Sequence, residues 1–290
     1  RFAGVTTLGV DEHLWHHVDT RKRGPKELTG MVDLTRDKDG RVHARLLDLV
    51  PGRSGTVYKT WLDQRGKTFK ARVEVATLDP FRGYKNAIDD KLADATAVLD
   101  AFHVVALAGH AVDEVRRRVQ QETLGHRGRS GDPLYGIRRV ARTRAGLLTE
   151  KQQHRLAKVL ADQRHVAFEI TWSVYQDVID AYQADDPAEG KKIMTRLIDT
   201  IKAGVPAGLD ELRTLGQTLH RRRDDILAFF DHPRTSNGPT EAINGLLEHL
   251  RGTARGFRNI INYIARCLLD AGGFSPDPPT VISGGSSRRF

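Results

Sequence analysis

Up to about Leu99 the chain alternates short β-rich apolar runs with turn residues, and beyond Phe102 apolar positions recur every three or four residues. Val5–Val10 predicts a buried strand, because β-branched residues fill it and no helical period appears; Asp11 then stands at its far end. Leu28–Leu34 predicts a second strand, and the turn Asp37-Lys38-Asp39-Gly40 leads into a third over Arg41–Val50. Three strands in succession suggest an antiparallel meander. Pro51-Gly52 closes it, and Val57, Trp61 and Leu62 mark one face of a helix over Thr56–Arg65. Val73 and Val75 alternate with Arg72 and Glu74 in a fourth strand reaching Leu78, with Asp79 and Pro80 just beyond it. Tyr84–Leu92 reads as helix, and Thr96–Leu99 as a fifth strand closed by Asp100. The expected order is βββαβαβ.

The remainder is helical in texture. Ile193, Leu197 and Ile201 form one stripe, Leu209, Leu212, Leu215 and Leu219 another, and four to six helices are expected between 104 and 231. The Gly/Arg stretch Gly125–Gly131 reads as a mobile basic loop. Asp231–Pro239 breaks the pattern, and a new helix starts with Pro239 in its first turn. From Ser275 the Pro, Gly and Ser content predicts a disordered tail.

Composition narrows the class. The 290 residues, 39% hydrophobic and 29% charged, can bury a core but contain no run approaching the roughly 20 apolar residues of a membrane span. Lys and Arg number 46 against 37 acidic residues, a net charge of +9 that favours a polyanionic partner, nucleic acid first. The lone Cys267 excludes an internal disulfide framework and multi-cysteine zinc sites, and fits a reducing, cytoplasmic setting. The chain opens on Arg1 with no leader pattern, as a cropped fragment would.

Three acids stand out by position: Asp11 and Asp79 at strand ends, and Glu241 in the first turn of a late helix. Carboxylates from separate segments can hold two divalent cations for phosphoryl transfer; equally, Asp caps turns and Glu suits a helix N-terminus. Glu241, Asn244, Glu248 and Arg251 share one polar helix face opposite Ile243, Leu247 and Leu250. Arg251, Arg255 and Arg258 follow among glycines, a composition suited to phosphate contacts. His13, His16 and His17 beside Asp11 offer a weaker zinc alternative that matches no metalloprotease spacing. Gly52-Arg53-Ser54-Gly55-Thr56 lacks the ending of a phosphate loop and reads as a turn. Trp61 and Trp172 read as core residues, whereas Trp15 could serve either the core or a DNA groove.

Val10-Asp11-Glu12, Leu78-Asp79, Leu99-Asp100-Ala101-Phe102-His103, Ser236-Asn237-Gly238 with Glu241 and Asn244, and Gly256-Phe257-Arg258-Asn259 together resemble the IS-L-three family of bacterial insertion-sequence transposases. The resemblance runs from the start to about Phe274. It implies an α/β fold, an RNase H-like mixed sheet carrying a DDE triad, with a large all-helical insertion before the last acid. Residues 1–103 would be the first part of the core, 104–235 the insertion, 236–272 the final core helices and 273–290 the tail. Carried over, the triad is Asp11, Asp79 and Glu241, holding two Mg2+ ions, with Mn2+ as a substitute. Asp100 with His103 resembles the signature trailing the second acid, making them and Asn244 supporting residues; Asp100 itself remains the alternative second ligand. Arg251, Arg255 and Arg258 would bind DNA. Implied partners are transposon ends and target DNA, with a homo-oligomer allowed and no membrane. The upstream zinc and helix-turn-helix segments of the family are not in this sequence. A metal-dependent nuclease without strand transfer, or a repurposed DNA-binding remnant, are the alternatives.

Overall fold

The computed structural model describes residues 2–15, 25–254 and 257–273. A five-stranded mixed sheet is built from β1 (Thr7–Leu14), β2 (Glu27–Asp33), β3 (Arg45–Pro51), β4 (Val75–Leu78) and β5 (Thr96–Leu99), in the order β3-β2-β1-β4-β5. The meander β1-β2-β3 is antiparallel, and β4 and β5 add to it in parallel. A parallel neighbour needs a crossover, and the chain supplies α1 (Gly55–Gln64), α2 (Gly66–Arg72) and α3 (Arg82–Lys91).

The expected elements shift in four places; β4 begins only at Val75, because Arg72, expected in the strand, closes α2. β1 continues to Leu14, so Asp11 lies within the strand on its β2 side, where it pairs Gly30, although pairing with β4 stops at Gly9. β3 starts at Arg45, because Arg36 and Val42 make only an isolated bridge around the Gly40 turn. Helix α2 was not anticipated; Phe69 is its one buried side chain and gives no repeating apolar stripe.

The sheet is covered on both faces, as the continuous burial of β2 requires. On one face Leu8, Val10, Met31, Ala76 and Leu78 pack with Tyr58, Trp61 and Leu62 of α1, Phe69 of α2, and Tyr84 and Ile88 of α3. On the other, α11 (Gly238–Thr253) and α12 (Ile260–Ala271) bring Ile243, Leu247, Tyr263 and Cys267 against Leu28, Val32, Leu46 and Leu49. Trp15 belongs to this second cluster, its indole tilted against Tyr263 and its Nε1 donating to Pro25 O at 2.7 Å, so it is a core residue.

Between β5 and α11 run α4 (Ala101–Leu124), the single-turn α5 (Pro133–Gly136), α6 (Glu150–Leu160), α7 (Val166–Gln183), α8 (Pro187–Ala203), α9 (Asp210–Arg221) and α10 (Arg223–Asp231), joined in places by short 3-10 turns. The two leucine and isoleucine stripes fall on α8 and on α9 with its approach, and both enter one helical core with Val112, Val115 and Phe168. Ala228 of α10 returns to the sheet against Val75 and Val98. The Gly125–Gly131 stretch is a folded turn: Gly125, Gly128 and Gly131 take positive φ, and Asp132 accepts from Arg129 N. No helix among the described residues is long and apolar enough to cross a membrane. The predicted tail from 274 onward lies outside the described residues.

Candidate active site

Strand register assembles the first three acids. The β1–β4 ladder ends at Gly9 and Thr77, two residues short of Asp11 and Asp79, and the charge of Asp79 still reaches Asp11 and raises it. The β4–β5 ladder pairs Leu78 with Leu99, which sets Asp79 opposite Asp100, and Asp100 N still donates to Leu78 O at 3.2 Å. Side chains alternate across a sheet. Gly9 and Thr77 face Asn237 and Thr240, and Val98 faces Ala228, so the three acids share the α10/α11 face.

Helix α11 completes the edge from the far end of the sequence. Its approach is close: a Cβ on Gly9 would stand 2.3 Å from Thr240 Oγ1 and 2.8 Å from Leu34 Cδ1. Glycine is required there by space rather than by φ. The seated helix lets Asn244 Nδ2 donate to Asp11 Oδ2 at 3.0 Å and to Glu12 O at 3.1 Å. Glu12 N donates to Asp11 Oδ1 at 2.8 Å, so both carboxylate oxygens are oriented. Asp11, Glu12, Glu241, Asn244 and Glu248 line an open cleft of about 390 Å³.

The acids differ in their surroundings. Burial pushes Asp11 up to about 6 from its ordinary 3.8, and the charges of Asp79 and Glu12 add to that rise against the lowering Glu12 N–H bond. Asp79 is also raised by burial; Phe81 N donates to its Oδ1 at 2.9 Å, and His103, Arg53 and Arg222 partly offset the rise. Burial acts the same way on Asp100, yet its hydrogen bonds outweigh it and hold this carboxyl below the ordinary range. Those bonds come from Asn237 N to Oδ1 at 2.9 Å, from His103 Nδ1 at 3.3 Å to Oδ2, and from the Ser236 side chain. The bond to Asp100 in turn raises His103, with Asp79 and Glu241 acting in the same sense.

Among the described residues, the group whose metal-ligating atoms lie within 4.8 Å of one another is Asp100, His103 and Glu241. Asp11 and Asp79 do not form such a group with Glu241. Glu241 thus stands on the Asp100 side of the acid row, and Asn244 one helical turn later stands on the Asp11 side.

The remaining predicted residues separate. Arg251 donates to Leu14 O, Arg258 is exposed between α11 and α12, and Arg255 lies outside the described residues. His13 is a core residue: its Nε2 is 2.5 Å from Tyr263 Oη, and burial together with Arg251 lowers it to about 4. His16 and His17 lie outside the described residues. Sequence reasoning missed three participants. Arg53, on the glycine-rich turn, pairs with Glu12 and with Glu27 at 3.7 Å. Glu12 lines the cleft beside Asp11 with no sequence signal of its own. Asn237 was only part of a motif, yet it bridges Asp100 and Thr77, its Oδ1 accepting from Thr77 Oγ1 at 3.0 Å.

Residues 8–267 match the family model of the IS-L-three DDE type, described as Transposase. The chain belongs to this transposase family. It is 26% identical over 301 residues to the transposase for insertion sequence element IS1557 from two strains of Mycobacterium tuberculosis. That alignment covers 96% of this chain and 63% of the relatives, so the chain spans less than two thirds of their length. Among solved structures, the Drosophila P element transposase strand transfer complex aligns with a TM-score of 0.44 and 11% identity, over 90% of this chain and 75% of that one.

Proposed function

We propose that this chain is the catalytic portion of an insertion-sequence transposase, with an RNase H-like core and a helical insertion over 104–235, that cleaves DNA at transposon ends and joins them to target DNA. The observation that carries the reading is the gathering of Asp11, Asp79 and Asp100 at or just beyond the ends of the β1–β4 and β4–β5 ladders, closed by Glu241 and Asn244 of α11 on the same face.

The donor set fits hard divalent cations. Oxygen ligands suit Mg2+ or Mn2+, and Asp11 and Asp79 are carboxylates raised by burial, Asp11 also by the charge of Asp79, a cost that a cation would relieve. Asp11, Asp79 and Glu241 would hold two such ions. Bound there, the metals would activate the attacking oxygen and neutralise charge on the leaving one. The protein's own groups set the geometry. Asn244 and Glu12 N–H fix the Asp11 carboxylate, and Phe81 N–H fixes one oxygen of Asp79 while leaving the other available. Arg53 draws the Glu12 carboxylate away into an ion pair. In the two steps, water breaks a phosphodiester to free a 3′ hydroxyl, and that hydroxyl then attacks a target phosphodiester, displacing a second 3′ oxygen.

Asp79 is favoured over Asp100 as the second ligand because Asp100 spends both oxygens on Asn237, Ser236 and His103. The Asp100–His103–Glu241 cluster favours a second reading in which Asp100 replaces Asp79. DNA is bound through phosphates by Arg251, Arg255 and Arg258, in keeping with the net charge of +9. A homo-oligomer and a cytoplasmic setting belong to the same reading.

The test is strand cleavage and joining on the element's own ends with Mg2+, using the full-length protein. Asp11→Asn, Asp79→Asn and Glu241→Gln should each abolish both steps, and Asp100→Asn should reduce them in part. Full loss in Asp100→Asn with retention in Asp79→Asn would transfer the ligand role. A nicked product that never forms a new joint would favour the nuclease.

A further inference from the structure

Phe102 is the one phenylalanine, tyrosine or tryptophan among the described residues left broadly in water, 67% exposed. Burial is the ordinary fate of such a ring, and the other phenylalanines, tyrosines and tryptophans described here are at least partly covered. Its position is specific. It occupies the first turn of α4 between Asp100 and His103, two members of the ligand-spaced cluster with Glu241. It meets the His103 ring in a T-shaped contact, with centroids 5.6 Å apart and planes at 84°, and two thirds of its surface remains exposed beside the acid row. His103 is itself tethered to Asp100, which fixes the support.

An exposed aromatic ring beside a group of ligand-spaced carboxylate and imidazole atoms suits a flat partner attached to a phosphate chain. An unstacked nucleobase has that chemistry, and base–aromatic stacking accepts any base. We infer that Phe102 stacks on a base displaced from the duplex beside the cut, positioning the strand across the acids. This deepens the transposase reading and rests on its placing of the cut at this edge.

Binding is measured by fluorescence anisotropy without metal, so that it is read apart from chemistry. The probes are a fully paired duplex, a fork of the same sequence with splayed strands, and a set of forks carrying one abasic position moved along the splayed region. Phe102→Ala should weaken fork binding roughly 5- to 150-fold while sparing the duplex. Phe102→Trp and Phe102→Tyr should restore it, and Phe102→Leu should not. At one abasic position, wild type and Phe102→Ala should bind alike. Equal weakening on duplex and fork, rescue by leucine, or a persistent difference at every abasic position would overturn the inference. So would a change confined to self-association in sedimentation, which would make Phe102 a protein contact. Matching melting curves establish that the variants fold, as expected for an exposed side chain. Cleavage with Mg2+ is scored in parallel: absent wild-type cleavage with an intact fork signature counts against the transposase reading alone, and cleavage with no fork signature counts against Phe102 alone.

Discussion

Replacing Asp11 by Asn should change stability with opposite signs at low and high pH when metal is chelated. Burial and the neighbouring acids raise Asp11 to about 6, against 3.8 for the free group. Between these values the folded protein holds a proton that the unfolded chain has lost, so the stabilisation present below about pH 4 disappears as pH climbs through 6. The difference of about two pKa units corresponds to about 3 kcal/mol. Asn carries no such penalty. It has one acceptor where Asp11 uses two, one for Glu12 N and one for Asn244 Nδ2, and losing one bond costs about 1 kcal/mol. Asp11→Asn should therefore be less stable than wild type by about 1 kcal/mol near pH 4, and more stable by about 2 kcal/mol near pH 8. Urea unfolding across this range in chelator measures the difference. Adding Mg2+ near pH 8 should raise wild-type stability and leave the variant unmoved. A difference constant with pH, or a variant destabilised near pH 8, would refute the electrostatic account of this edge.

Gly9→Ala should destabilise the fold by about 1–3 kcal/mol, because the new Cβ meets Thr240 Oγ1 at 2.3 Å; thermal melts check this, and Thr240→Ala in the same chain should recover part of it. Asn244→Leu should reduce cleavage while DNA affinity holds, since it frees the Asp11 carboxylate rather than a phosphate contact; anisotropy and cleavage on one preparation separate the two. DNA affinity should fall with rising salt, and Arg258→Ala should flatten the slope of log affinity against log salt by about one; an unchanged slope would remove Arg258 from the interface.

The sequence carried strand existence well and register not at all. Alternation of Val73 and Val75 with charged neighbours points to β4 but places its start too early, since Arg72 closes α2 and the strand begins at Val75, whereas the β-branched run at Val5–Val10 points to the start of β1. The far half of β1 is hidden because Asp11 and Glu12 are polar where β1 runs on past its last pair with β4, and His13 is a core residue bonded to Tyr263. Helix α2 was hidden because one buried Phe69 makes no period. Trp15 is ambiguous for a related reason: it stands between Leu14, itself exposed, and two histidines, and its burial depends on Tyr263, far along the chain. Which of Asp79 and Asp100 is free to bind a metal depends on who donates to each, and those donors come from Phe81 in one case and from Ser236 and Asn237 in the other.

The saturation of Asp100 has a structural reason that also explains how a long helical segment can precede Glu241. Loop closure costs little more as a loop lengthens, provided its ends are held together. Here the ends meet: Asp100 opens α4, and its Oδ1 accepts from the backbone of Asn237, 137 residues later, immediately before α11. Asn237 is bonded again to Thr77 on the neighbouring strand, so entry and exit are fastened to β4 and β5 at one point. The return helix α10 packs Ala228 on Val75 and Val98, which supports the same join from below. Helices between those points can lengthen or repack without moving Glu241 or Asn244, because the position of α11 is set by this clasp and by its fit over Gly9. Asp100 is then a clasp whose two oxygens both accept bonds, whereas Asp79, just beyond the end of β4, accepts from Phe81 N at one oxygen.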